Sequence, residues 1–162
     1  MSFDSSHFRQ VLGHFPTGVT IITGMTVDGP AGLTIGSFTS VSLDPPLVGF
    51  LPMESSVSWK AIETSGSFCV NVLGVDHADL CWRFAKSTGD NKFEGVEWDA
   101  APSGSPILAG AVAWIDCTIE SVQEMGDHLF VLGRVQGLDK WDGPEPRPLL
   151  FFRGKLGEFT PL

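Results

Sequence analysis

The feature that most limits the fold of this chain is the alternation of short β-branched segments with breaks at glycine, proline or aspartate. Segments 17–23, 47–51 and 68–73 are rich in Val, Ile, Thr and Phe, and turn-forming residues bound them. Nineteen glycines and eleven prolines in 162 residues supply the turns. The pattern predicts about eight strands and no repeating strand–helix–strand order. It favours a closed antiparallel barrel over a doubly wound parallel sheet.

Short helices are predicted at the edges of this mainly β fold. The first covers 7–14, with Asp4, Ser5 or Ser6 as its cap, and the second covers 55–63. The third is predicted to begin with Asp76 as its cap and to end near Ala85. The strands are expected at 17–23, 31–42 (one or two strands), 47–51, 68–73, 112–124, 128–138, 149–152 and 155–159, with an irregular covering loop at 87–109. Residues 1–162 are expected to form a single domain.

Charge and composition exclude several classes of protein. The net charge of −9 leaves no basic footprint for nucleic acid. No apolar run approaches the ~20 residues that a membrane helix requires, and the first residues do not read as a signal peptide. Cys69, Cys81 and Cys117 lack a CxxC spacing, which indicates small core residues in a reducing compartment. We therefore expect a soluble, cytoplasmic protein.

The usual signatures of nucleotide, metal and hydrolytic sites are missing from the sequence. No two glycines are separated by a single residue, so the GxGxxG fingerprint cannot occur. There is no Walker motif, no HExxH and no GxSxG elbow. The four histidines never pair at metal-ligand spacing, so no metal site is expected.

Two segments carry candidate ligand-binding chemistry, each with a structural alternative. Residues 32–42 are dense in small and hydroxyl side chains, which suits either the wall of a flat ring site or a barrel corner relieved by glycine. Ser55, Ser56 and Ser58 open the second helix, with Lys60 one turn in. They suit either an anion site or ordinary N-capping.

Three further groups are equally open on the residues alone. The cations around Phe84 either bind an anion or offset the dipole at the end of the third helix. His128, in the turn after Gly126 and Asp127, is either an exposed turn residue or a ligand to a nicotinamide. Arg147 and the Phe152–Arg153 pair either pack the closing strands or clamp an anionic dinucleotide.

Taken in order, these segments resemble the short-chain flavin reductase family, the reductase components of two-component flavin monooxygenases. The resemblance spans nearly the whole chain. It rests on Phe8-Arg9, Phe15-Pro16-Thr17-Gly18-Val19, Gly32-Leu33-Thr34, residues 37–47, Phe68-Cys69-Val70-Asn71-Val72-Leu73, Gly104-Ser105-Pro106, Gly126-Asp127-His128 and residues 147–154. It implies a mainly β, antiparallel split β-barrel of Greek-key type that binds flavin. It also implies a homodimer that transfers hydride from NADH or NADPH to FMN or FAD and passes the reduced flavin to a partner flavin-dependent monooxygenase.

By position, the resemblance also assigns roles to individual residues. Gly32, Leu33, Thr34, Gly36 and Ser37 match the stretch that contacts the isoalloxazine ring. The ribityl and phosphate stretch, together with a further flavin-contacting segment, matches Leu51, Ser55, Ser56, Ser58, Arg83, Phe84 and Lys86. The nicotinamide cofactor is expected at Gly126, Asp127, His128, Phe152 and Arg153, with His128 placing the nicotinamide as the catalytic residue.

Two positions depart from the family pattern. Gly36 stands where relatives often carry a polar or larger residue, and Phe152 stands where some carry tyrosine. These departures bear on flavin affinity or preference and on a hydroxyl that could reach the cofactor. Two alternative functions also remain open at this point. One is a flavin-dependent oxidase or oxygenase of related fold with its own substrate, and the other is a non-enzymatic flavin-binding electron carrier.

Overall fold

The structure, a computed structural model, describes residues 2–86 and 91–162. The helices are α1 (Ser5–Leu12), α2 (Val57–Glu63) and α3 (Ala78–Ala85), with a 3-10 turn at Val75–His77. The strands are β1 (Thr17–Gly18), β2 (Thr20–Thr26), β3 (Gly29–Ile35), β4 (Thr39–Ser42), β5 (Leu47–Phe50), β6 (Ser67–Val72), β7 (Trp98–Ala100), β8 (Pro106–Leu108), β9 (Ala113–Met125), β10 (His128–Lys140), β11 (Leu149–Phe152) and β12 (Lys155–Glu158).

The main sheet has seven antiparallel strands in the order β3-β2-β6-β9-β10-β5-β4. Its edge strands, β3 and β4, follow each other in sequence, and among the described residues no ladder joins them. The barrel is therefore split along the β3–β4 edge. The residue pattern alone predicts a closed barrel, and that prediction is wrong. An edge strand keeps a row of backbone groups that no neighbouring strand pairs, and these groups can bind a ligand.

Two smaller sheets complete the β structure. β11 lies between β1 and β12, and β7 pairs with β8. The β7–β8 pair falls in segment 87–109, so the prediction of an irregular loop is wrong for that part, while residues 87–90 lie outside the described residues. Each of these strands has three residues. Pro102 and Gly104 lie between them, and Pro106 begins β8, so the segment has too little periodicity to be recognised from sequence.

The core is an aromatic and aliphatic cluster inside the main sheet. Phe50, Trp59 and Phe68 are fully buried and meet edge to face, with ring centroids 5.1 to 6.4 Å apart. Trp59 lies on α2, so this contact fixes the helix against the open side of the barrel. Burial of three such rings stabilises the fold by several kcal/mol and makes α2 a rigid support for what it carries.

Polar groups at the helix starts match the predictions in two cases and not in the third. The side chain of Asp4 accepts from His7 N at 2.8 Å, and that of Ser56 accepts from Trp59 N at 3.2 Å. The prediction that Asp76 caps the third helix is wrong, because Asp76 lies within the 3-10 turn and His77 occupies the cap position. In the described part of the chain, no helix has the length and apolarity needed to cross a membrane.

Candidate functional site

The largest concentration of predicted site residues lies around one cleft of about 650 Å³ at the split edge of the barrel. β3, the 51–58 segment, the end of α3 and the β9–β10 turn form its walls. The predicted residues that line it are Leu33, Thr34, Gly36, Ser37, Leu51, Ser55, Ser56, Ser58, Phe84, Lys86 and His128. Segments far apart in sequence thus form one site.

On the β3 wall, the polar groups available to a ligand belong to the backbone. The Thr34 hydroxyl donates to Cys81 O at 2.7 Å, so it is used to hold α3 against the strand. The carbonyl of Gly32 accepts from a lysine outside the ladder, so it points away from β2. Because successive residues of an antiparallel strand direct their polar groups to opposite edges, the backbone of Thr34 faces the same side as that of Gly32. The backbone groups of Thr34 on this outer edge suit the polar edge of a flat ring.

Ser37 joins the two sides of the split edge. Its Oγ accepts from Leu51 N at 2.9 Å and lies 3.2 Å from Leu51 O, to which it donates. This paired contact holds the turn after β3 against the chain leaving β5. The side chain of Ser37 is therefore a structural link, and its backbone N–H is the group left for a ligand.

At Gly32 and Gly36 an added side chain would press on neighbouring residues of the protein. A Cβ at Gly32 would lie 2.7 Å from the Phe84 ring, which is buried and packs edge to face on Phe93. A Cβ at Gly36 would lie 3.3 Å from Oγ1 of Thr17, a buried hydroxyl without a hydrogen-bond partner in the described structure. The departure at Gly36 therefore reflects close approach of β1.

Hydroxyl and ammonium groups collect at the α2 end of the cleft. Lys92 lines it and donates from Nζ to Ser58 Oγ at 3.1 Å, to Gly32 O at 3.3 Å and to Phe84 O at 3.4 Å. Lys86 lines the same end with an exposed side chain. No aspartate or glutamate is among the described lining residues, although the chain has nineteen of them. This part of the cleft is suited to an anion.

His128 lies at the start of β10, where it pairs with Met53 of the 51–58 segment. Its Nδ1 atom is 2.8 Å from Asp127 Oδ1, and the backbone of Asp127 accepts from Glu54 N at 3.1 Å. The hydrogen bond with the His128 side chain lowers the pKa of the Asp127 carboxyl below its usual value, and the electrostatic interaction with His128 lowers it further. Gly126 has a φ of 67°, which the tight turn requires. Gly126 and Asp127 support His128 and do not line the cleft themselves.

Besides Gly32, Gly126 and Asp127, three predicted residues are not among those that line the cleft, namely Arg83, Phe152 and Arg153. Arg83 donates to Glu94 O at 2.8 Å and to Lys92 O at 3.4 Å, which ties the covering segment to α3. Phe152 and Arg153 lie at the end of β11, where Arg153 borders a second, separate cleft next to Arg9 and His14. In this single chain the structure does not bring Phe152 and Arg153 to the main cleft.

Sequence reasoning missed several lining residues. Sequence alone assigns no role to Lys92 or Met125, and Met53 falls inside the 51–58 stretch without a role of its own. Lys92 lies near the start of the long aperiodic stretch 87–109, so nothing local indicates that its side chain returns to β3. The two methionines supply an adaptable apolar surface near His128.

Comparison with known proteins agrees with this geometry. The model of the flavin reductase like domain matches residues 12–160. A flavin reductase of Pseudomonas putida is 51% identical over 160 residues, covering 98% of this chain and 92% of the relative. The reductase subunit HsaB of a flavin-dependent monooxygenase from Mycobacterium tuberculosis is 49% identical over 158 residues, covering 98% and 84%.

A solved structure is also similar over nearly the whole chain. It is the Streptomyces globisporus NADH:FAD oxidoreductase SgcE6 in complex with NAD and FAD fragments. Its TM-score is 0.89 and its identity 37%, with 98% of this chain and 94% of that chain covered. The split-barrel fold that the family resemblance implies is confirmed. The chain therefore belongs to the flavin reductase like domain family.

Proposed function

We propose that this protein is an NAD(P)H:flavin oxidoreductase that binds FMN or FAD in the main cleft and reduces it with NADH or NADPH. The observation that carries the proposal is the cleft itself, in which an exposed strand edge, a hydroxyl and ammonium cluster and His128 come together. Family membership and the activities of the relatives support it.

The residues present fit a flavin. The volume of about 650 Å³ lies within the ~300–1,000 Å³ typical of small-molecule sites. A Cβ at Gly32 would press on the Phe84 ring, which lines the cleft, so glycine there keeps that part of the wall in place. Ser56, Ser58 and Lys86 offer donors for a ribityl phosphate, and Lys92 adds positive charge beside them.

The protein's part in the reaction is to bind and orient. The flavin and the reduced nicotinamide supply the hydride chemistry, which needs no nucleophile or strong base from the chain. Thr34 and Ser37 present backbone N–H groups to the polar edge of the flavin. His128, held through Nδ1 by Asp127, leaves Nε2 directed to a second ligand. Holding two rings in contact accounts for the rate enhancement that such a site provides.

The biological setting is part of the same proposal. The protein forms one domain, works in the cytoplasm as a homodimer and delivers reduced flavin to a flavin-dependent monooxygenase. Relatives named as monooxygenase reductase subunits support the partner. Exposed apolar side chains on α1, among them Phe8 and Leu12, support a second copy as the neighbour that covers them. In such a homodimer, Phe152 and Arg153 of one copy would contribute to the nicotinamide site of the other copy.

Steady-state oxidation of NADH and NADPH by the purified protein, with FMN, FAD or no added flavin, tests the proposal. We expect turnover that depends on added flavin and needs no further substrate. A flavin-dependent oxidase or oxygenase would instead turn over only with its own substrate. A flavin-binding carrier would bind FMN and leave NADH unoxidised. Either result would overturn the proposed function.

A further inference from the structure

Lys92 contacts three elements of the cleft at once. Its Nζ donates to Gly32 O on β3, to Ser58 Oγ on α2 and to Phe84 O on α3, at 3.1 to 3.4 Å. An ammonium has three hydrogens, so these three neutral oxygens use all of its donors. Lys92 thus joins the strand edge and the two helices that line the site.

The charge of Lys92 has no acidic partner in the described part of the chain. The described ion pairs involve other cations, and the described residues that line the cleft include no carboxylate. Burial alone lowers the pKa of its ammonium. A half-buried cation held by neutral groups is costly unless a ligand supplies the opposite charge.

The same contact sets the direction of the Ser58 hydroxyl. Because Ser58 Oγ accepts from Lys92, its own hydrogen is directed elsewhere, and Ser58 lines the cleft. Ser56 Oγ is likewise an acceptor, from Trp59 N. Both serines therefore present O–H donors to a ligand oxygen. Donors backed by a fixed positive charge favour a phosphate over a neutral hydroxyl.

We propose that Lys92 is a positioning and specificity-determining residue that makes the cleft select a phosphorylated flavin, by orienting the Ser58 hydroxyl and by placing a positive charge beside it. This inference rests on the proposed function, because it names which part of the flavin that site recognises. Lys92 acts through Ser58 and through its charge, so its loss should affect the phosphate and spare the ring.

The test is a pair of equilibrium titrations, with FMN and with riboflavin, which has the same ring and no phosphate. For Lys92→Met we expect the Kd of FMN to rise about tenfold or more, as for loss of a charge-assisted contact, and that of riboflavin to change less than about threefold. Riboflavin binding also reports that the variant is folded. Lys155→Met, which removes an exposed lysine on β12, is the matched control and should leave both constants unchanged.

A double-mutant cycle with Ser58→Ala supplies a second readout. If Lys92 acts through Ser58, the effects of the two changes on FMN affinity should be clearly less than additive. Equal losses of FMN and riboflavin affinity in Lys92→Met would show that Lys92 only holds the cleft walls together, and would overturn the inference. So would an unchanged FMN Kd, or wild-type binding of riboflavin as tight as that of FMN. Wild-type protein that binds neither flavin would overturn the proposed function as well.

Discussion

His128 Nδ1 and Asp127 Oδ1 lie 2.8 Å apart at the mouth of the cleft, in the turn that joins the two longest strands. A carboxylate accepts the Nδ1 proton, so the neutral imidazole presents Nε2 as an acceptor. Two backbone hydrogen bonds hold this turn against the 51–58 segment, from Glu54 N to Asp127 O and from Leu129 N to Pro52 O. The orientation of the ring is therefore set before a ligand arrives.

The first prediction concerns that imidazole. His128→Ala should raise the KM for NADH by about five- to tenfold, the value of one lost hydrogen bond, and leave the Kd of the flavin nearly unchanged. Steady-state kinetics and a separate flavin titration on the same preparation measure the two effects. An unchanged KM would remove His128 from the nicotinamide site.

The second prediction is a pH dependence of flavin selectivity. Burial lowers the pKa of Lys92, so its charge is lost at a lower pH than that of an exposed lysine. The preference for FMN over riboflavin should therefore decline as the pH rises through that range. Lys86 and His128 also face the cleft, so the Lys92→Arg variant is the control, since its guanidinium stays charged. An identical alkaline decline in both proteins would contradict the role of Lys92.

The third prediction concerns the space beside β3. Gly32→Ala places a Cβ 2.7 Å from the buried Phe84 ring, which has to shift along with α3. Overpacking of this kind costs about 1–3 kcal/mol of the free energy of unfolding, and flavin affinity should fall with it. Gly157→Ala, with no atom within 4 Å of the added carbon, is the matched control and should stay within about 0.5 kcal/mol of wild type. Denaturant unfolding measures both, and equal stabilities would refute the contact.

Sequence could predict those parts of the fold and site whose signal is local. The strand-rich pattern, the caps at Asp4 and Ser56 and the hairpin before His128 were all readable from neighbouring residues. The open barrel edge was not, because the strand order that leaves the outer edge of β3 without a neighbour is a property of seven strands together. Lys92 was missed for the same reason, since its partners lie 8, 34 and 60 residues away.

The fourth prediction concerns the three cysteines, which are free and buried. Burial, with a smaller contribution from the charge of Asp116, raises the pKa of Cys117 to about 12, and burial also raises the pKa values of Cys69 and Cys81. Since the thiolate is the reactive form, none should be alkylated at neutral pH in the folded protein. All three should react in denaturant. Modification under native conditions, read by mass spectrometry, would disprove their place in the core.

The central claim is that the cleft holds a flavin within reach of a nicotinamide. Anaerobic mixing of NADH with the protein and FMN, followed by the visible absorbance of the flavin, measures this directly. We predict rapid bleaching whose rate saturates with NADH, and a much weaker response at the same FMN concentration in Ser58→Asp, where a carboxylate repels the phosphate. Folded wild-type protein that leaves the flavin absorbance unchanged would contradict the account.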